Sequence, residues 1–251
     1  AGLFDPYNSA AAFPPRRPCL PGTPRCTSAP TYTLTDMSDE DTVTELTKEN
    51  APIKARGLEG VIALESELSS IDGDTGTLIY RGYDIHDLAE HATYEEVIYL
   101  LRHGDLPTQA QLDDFTGHLR SERALPAPVL DLLRNAPDDA HPMAVLRTGV
   151  SALGLYDEEA DVMERDANCR KADRILAQIP TLIAAFDRLR KGKDPIAPLD
   201  HGSMAHNFLY MLNGEEPHQA AENTFDVCLV LHADHGLNAS TFTSRVIGST
   251  L

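Results

Sequence analysis

From Thr93 to Leu231 the sequence is punctuated as one helix after another, and this pattern most limits the folds open to it. Thr93-Tyr-Glu-Glu-Val-Ile-Tyr-Leu-Leu leads to Gly104, with a hydroxyl to cap the first free N–H groups and a glycine to end the segment. Thr108 and Gln111 have the spacing of a capping box for a helix running to about Arg123. At His141-Pro142 the proline falls in a first turn, where its missing N–H costs nothing. Residues 168–190 read as a long amphipathic helix in which Pro180 predicts a kink. The loop KGKDPIAPLD follows, then His206-Asn-Phe-Leu-Tyr-Met-Leu-Asn-Gly, and Glu215-Glu-Pro217 leads into a helix that carries Leu231. The expected fold class is mainly α.

Ahead of these helices, GLEGVIALESELSSIDGDTGTLIYRGYDI has β-leaning runs around Asp-Gly and Thr-Gly pairs, which predict a hairpin. Asp72-Gly-Asp74-Thr-Gly76 superficially suggests a calcium loop. Position twelve counted from Asp72 is Tyr83 and the glycine is misplaced, so a turn is the better reading.

Chemistry is concentrated in Leu229–Leu251, LVLHADHGLNASTFTSRVIGSTL. The apolar residues from Phe225 to Leu231 read as a helix buried on most sides, with Cys228 a core residue, until Gly236 interrupts the pattern. Asn238, Ser240 and Thr241 then offer caps for a new helix. His235 is thereby expected near free backbone N–H groups and a positive dipole end, a place that suits an anionic substrate. His232 and His235 would share a face if the first helix persisted, which invites a metal reading. No HExxH motif or second histidine pair completes a shell, and two histidines satisfied by local hydrogen bonds at a helix junction is the plainer alternative.

The segment LHADHGLNASTF resembles the H-[AS]-[DE]-H-E-x-N-x-S segment of citrate synthases. Ser70 to Leu88 resembles their S-x-I-D-x-x-x-G-x-L-x-Y-R-G-Y-x-I-x-x-L segment, and the HPM at 141–143 and the N-F-L-x-M-L-like run after His206 fit as well. The likeness covers about residues 57–251. It implies a helical bundle of the family's large domain with a small N-terminal β-hairpin, in a two-domain homodimer. The implied reaction condenses acetyl-CoA with oxaloacetate to citrate and CoA, with no metal and no cofactor, since the CoA thioester is a substrate. The resemblance gives His235 and Asn238 the binding of oxaloacetate, with Ser240 and His232 supporting the imidazole from behind. His141 and His206 receive no chemical role; His206 is expected to be a surface or packing residue. One departure is Gly236, where many members carry Glu.

The family's other catalytic groups are a His in P-L-H-G-x-A-N, a second His in G-[FY]-G-H and an Asp that removes a methyl proton. None of these segments is in the chain, so no catalytic residue is expected before Leu251, and the sequence reads as an N-terminal part of such an enzyme. A 2-methylcitrate synthase, which uses propionyl-CoA, shares these motifs. A non-catalytic helical remnant is the alternative from a different class.

Charge narrows the partners. The chain carries 39 acidic against 21 basic residues, a formal −18, which disfavours nucleic acid. Five Lys among those basic residues suggest solubility in concentrated salt, where screening removes carboxylate repulsion. No long uncharged apolar run could span a membrane, so a cytoplasmic protein is expected. Residues 1–36 differ in kind: they hold seven of the seventeen prolines and no core pattern, which predicts a disordered or non-native extension before a start at Met37. Residues 37–251 then form the family portion.

Overall fold

The computed structural model describes residues 66–250. The extension expected at 1–36 lies outside the described residues. Those described contain nine α-helices and one three-stranded antiparallel sheet, a mainly helical fold as expected. They divide into two compact units, a helical one over Ile85–Ala233 and a second formed by 66–84 with 234–250.

The helical unit contains α1 (Ile85–His91), α2 (Tyr94–His103), α3 (Gln109–Ser121), α4 (Ala127–Arg134), α5 (Pro142–Leu153), α6 (Arg165–Arg190), α7 (Met204–Asn213) and α8 (Gln219–Leu231). The starts and stops follow the local chemistry. Thr93 and Glu96 form a capping box for α2, which ends at Gly104 in the left-handed region, φ 91°. Thr108 and Gln111 form a second box for α3. His141 caps α5, its Nδ1 accepting from Met143 N at 3.2 Å, so its role is structural.

The central element is α6, against which α3, α4, α5 and α7 pack. It runs unbroken through Pro180, which removes the N–H that would reach the Leu176 carbonyl. On one side Leu182, Ala185 and Phe186 meet Val129 and Leu133 of α4 and Val145 and Leu153 of α5, all buried. On the other, Ala177 meets Ile98, Leu119 and Met204. Each large side chain so buried contributes roughly 1.5–3 kcal/mol. Gly149 lets α5 approach α6 closely: a Cβ there would stand 2.3 Å from Leu182 Cδ1.

Polar groups inside this unit fix its loops. Arg123 is 3% exposed, and it donates to the carbonyls of Leu199, His201 and Gly202 at 2.9–3.1 Å. Burial pushes its guanidinium down to about 10, opposed by the charge of Glu95. Glu95, also buried, accepts from Met204 N at 2.7 Å, and desolvation raises its carboxyl above the usual range.

One expectation fails on α8. The helix is not buried on most sides: Asp226 and Val230 are buried, whereas Cys228 and Leu231 are exposed. α8 packs against α1, α2 and α7, so its outward face has no helix to cover it within this unit.

In the second unit β1 (Ser69–Asp72) and β2 (Thr77–Tyr80) form the expected hairpin, with Ser69 opposite Tyr80 and Asp72 opposite Thr77. The turn between them is closed by Asp72 Oδ1, which accepts from Asp74 N and Thr75 N. A third strand absent from the sequence reading, β3 (Tyr83–Asp84), extends β2. The last helix of the described residues, α9 (Ala239–Gly248), buries none of its side chains.

Candidate active site

The site predicted around His235 is built on a turn pinned to the hairpin. Tyr80 is fully buried at the end of β2. Its hydroxyl donates to the Asp234 carbonyl at 2.9 Å and accepts from Asp234 N at 3.2 Å, which clamps the backbone of that residue from both sides. The Asp234 carboxylate accepts from Ser69 Oγ at 2.5 Å and from Gly236 N at 2.9 Å. Burial and the adjacent Asp234 charge hold the Tyr80 phenol above its ordinary value, with the hydrogen bond to the Asp234 backbone opposing the shift, so it stays a neutral donor. Asp234 is therefore an anchor. With both its backbone and its carboxylate engaged, it is poorly suited to abstract a proton.

His235 follows directly and is exposed. Gly236 then takes φ 61°, a conformation costly for a residue with a Cβ, which turns the chain toward α9. Asn238 caps that helix, its Oδ1 accepting from Thr241 N at 3.0 Å, as the sequence predicts. This leaves the amide nitrogen as the donor available to a ligand. Ser240 lies exposed in the first turn of α9. The turn thus presents an imidazole and an amide beside free helix N–H groups, all able to donate to an anion.

His232 is the exposed C-cap of α8, and its Nδ1–H donates to the Cys228 carbonyl at 2.7 Å. Because α8 ends at Leu231, the condition for His232 and His235 to share a helical face is not met.

The sequence reading missed the Tyr80 and Ser69 contacts to Asp234, which join residues 154 and 165 positions apart. Tyr80 was legible as part of the Y-R-G-Y segment, but nothing local ties it to Asp234. It also did not foresee the surroundings of His206. This side chain lies between Glu216 and Glu222, near His201, in the helical unit.

The chain is similar to known proteins in sequence and in fold. The family model described as citrate synthase, C-terminal domain, matches residues 57–251. A citrate synthase of Haloferax volcanii is 56% identical over 200 residues, which are 78% of this chain and 53% of that protein. A 2-methylcitrate synthase of Corynebacterium glutamicum is 44% identical over 78% of this chain and 52% of its own. The crystal structure of citrate synthase from Pyrobaculum aerophilum superposes with a TM-score of 0.74 at 39% identity, over 77% of this chain and 50% of that one. The chain spans about half the length of the relatives it matches. With more than three quarters of its residues matched in sequence and fold, the chain belongs to the citrate synthase family.

Proposed function

We propose that this chain is the part of a citrate synthase that receives oxaloacetate, in an enzyme condensing it with acetyl-CoA to citrate and CoA. The observation that carries the reading is the pinned turn: His235 stands between an immobilised Asp234 and the capped start of α9. An imidazole held there donates to the ketone oxygen of oxaloacetate, where negative charge develops as the new C–C bond forms. The Asn238 amide nitrogen and the helix N–H groups face the carboxylates. Ser240, in the first turn of α9, acts behind the imidazole as a positioning residue. No metal or cofactor enters this chemistry, because the thioester brings its own activation.

Abstraction of the methyl proton needs a placed base and a donor to the enolate. The family segments that supply them are not among the 251 residues. The reading therefore concerns an enzyme of full family length, homodimeric and cytoplasmic as the family resemblance suggests. A salt-adapted source is supported by the −18 charge, by the shortage of lysine and by the likeness to the Haloferax volcanii protein.

Acetyl-CoA is favoured over propionyl-CoA because the Haloferax volcanii citrate synthase is the more similar relative, at 56% against 44% for the 2-methylcitrate synthase. Thiol release with oxaloacetate and each acyl-CoA, measured on a full-length enzyme, tests this. Acetyl-CoA should turn over faster, and His235→Ala should lower kcat on the order of 100-fold and raise KM for oxaloacetate. Preference for propionyl-CoA would make it a 2-methylcitrate synthase. Unchanged oxaloacetate kinetics in His235→Ala would remove that residue from the site.

A further inference from the structure

We propose that His201, His206 and Glu216 form a binding site for a divalent transition-metal ion of the zinc and cobalt(II) class, clasping the two loops that flank α7. A ring nitrogen of each histidine and a carboxylate oxygen of Glu216 lie within 4.8 Å of one another. They come from the loop before α7, from α7 itself and from the loop after it, all within the helical unit.

The starting point is a buried atom in an awkward position. His206 Nδ1 lies 2.9 Å from Glu222 Oε2, and since a carboxylate only accepts, Nδ1 carries a proton there. Nε2 is buried, makes no hydrogen bond of acceptable angle, and faces Glu216 Oε2 at 2.7 Å. In a neutral imidazole this sets a lone pair against a carboxylate oxygen. Something positive belongs between them, either a second proton or a metal ion.

Three features favour the ion. His201 brings a second imidazole to the same place, its ring centroid 6.3 Å from that of His206, and a protonated neighbour there would be repelled. Each imidazole also has its own carboxylate on Nδ1: Glu222 for His206, and Asp200 at 2.9 Å for His201. Glu222 is held in turn by the Ser203 hydroxyl at 2.7 Å. Carboxylate, imidazole and metal in series is the arrangement that orients and strengthens histidine ligands. Finally, the site is prebuilt. Arg123 and Arg120 fix the carbonyls of Leu199, His201 and Gly202. Gly202, at φ 72°, lies so close over the His206 ring that a Cβ would stand 2.7 Å from Cδ2.

Two nitrogens and one carboxylate oxygen suit zinc, with a fourth position for water. Bond lengths of about 2.0–2.2 Å place tetrahedral ligands roughly 3.3 Å apart. The Glu216 side chain is 63% exposed and free to open its 2.7 Å contact to that spacing. His201, also exposed, needs only to swing inward. Three acidic groups, Asp200, Glu216 and Glu222, surround the two imidazoles, so a divalent cation also offsets local charge.

The test is titration of the full 251-residue chain with Zn²⁺ by calorimetry and with Co²⁺ by visible absorption, in a buffer free of chelators. The parent should take up one equivalent with the intense d–d bands of four-coordinate Co²⁺. Glu216→Gln, on an exposed side chain that folding does not need, should weaken this at least tenfold and His206→Ala should abolish it. Glu222→Gln should weaken it 10–100-fold while leaving the stoichiometry unchanged. His91→Ala, outside the cluster, should bind as the parent does. Equal affinity in parent and Glu216→Gln would overturn the site. So would a parent that binds no metal while its His206 ¹⁵N shifts show both ring nitrogens protonated, which would make His206 a cationic bridge between Glu216 and Glu222.

Discussion

The two units hold themselves together by opposite means. The helical unit is organised around α6, with apolar side chains closing on both sides and Gly149 permitting van der Waals contact with α5. The unit formed by 66–84 and 234–250 has little apolar interior. Its last helix buries no side chain, and it is joined by four hydrogen bonds converging on Asp234, of which three come from the hairpin. Packing tolerates small displacements and is felt as stability, whereas hydrogen bonds at a single residue fix direction. The turn that carries His235 sits in the unit that fixes direction.

The largest test of this contrast is truncation of apolar side chains. Leu182→Ala should destabilise the 251-residue chain by about 2–5 kcal/mol, because neighbouring helices cannot collapse into the cavity. Ile247→Ala, on a residue 61% exposed, should change it by less than about 0.5 kcal/mol. Denaturant unfolding followed by helical circular dichroism measures both, and comparable losses would erase the distinction.

A smaller and more local effect should follow Tyr80→Phe. The ring remains, but Asp234 loses both backbone partners, costing about 1–3 kcal/mol. Amide exchange should accelerate at 234–238 and hardly at all in α6. If α6 were equally affected, the hairpin would be supporting the whole chain and not the turn alone.

The smallest effect separates a half-buried carboxylate from an exposed one. Glu159 is drawn down to about 2 by hydrogen bonds and charge from Arg170 and Arg174. Asp72 is lowered by hydrogen bonds from the side chain and backbone of Thr75 and the backbone of Asp74 in its own turn. Because both folded values are depressed, each contributes stability above the ordinary carboxylate range. For Glu159 that contribution disappears as pH falls from about 4.5 toward about 2. Added salt should screen the Glu159 shift and leave that of Asp72 nearly unchanged. Carboxyl ¹³C titrations at low and high KCl would show this; equal salt sensitivity would mean that the Asp72 shift is also charge-driven.

What the sequence made legible was chemistry completed within a few residues. Thr93 with Glu96, Thr108 with Gln111, Pro142 after His141, and Asn238 before α9 each satisfy groups in a single turn. His235 was singled out only through likeness to a family segment, since two histidines three apart carry little information alone. What stayed hidden depends on partners far along the chain: Asp234 on Ser69 and Tyr80, His206 on Glu216 and Glu222, Arg123 on residues 199–202. The exposure of Cys228 was missed for the same reason, because an apolar run does not say which of its faces finds a neighbour.

The Arg123 contacts also impose an order in time. The guanidinium belongs inside the helical unit, yet the carbonyls that receive it come 76–79 residues later. At roughly 5–20 residues per second, a ribosome needs roughly 4–16 s to cover that interval. Throughout it, Arg123, just past the end of α3, has no carbonyls to receive its guanidinium. The unit therefore cannot close around Arg123 before the loop ahead of α7 emerges, and the seconds before that are when the nascent chain most needs protection from association.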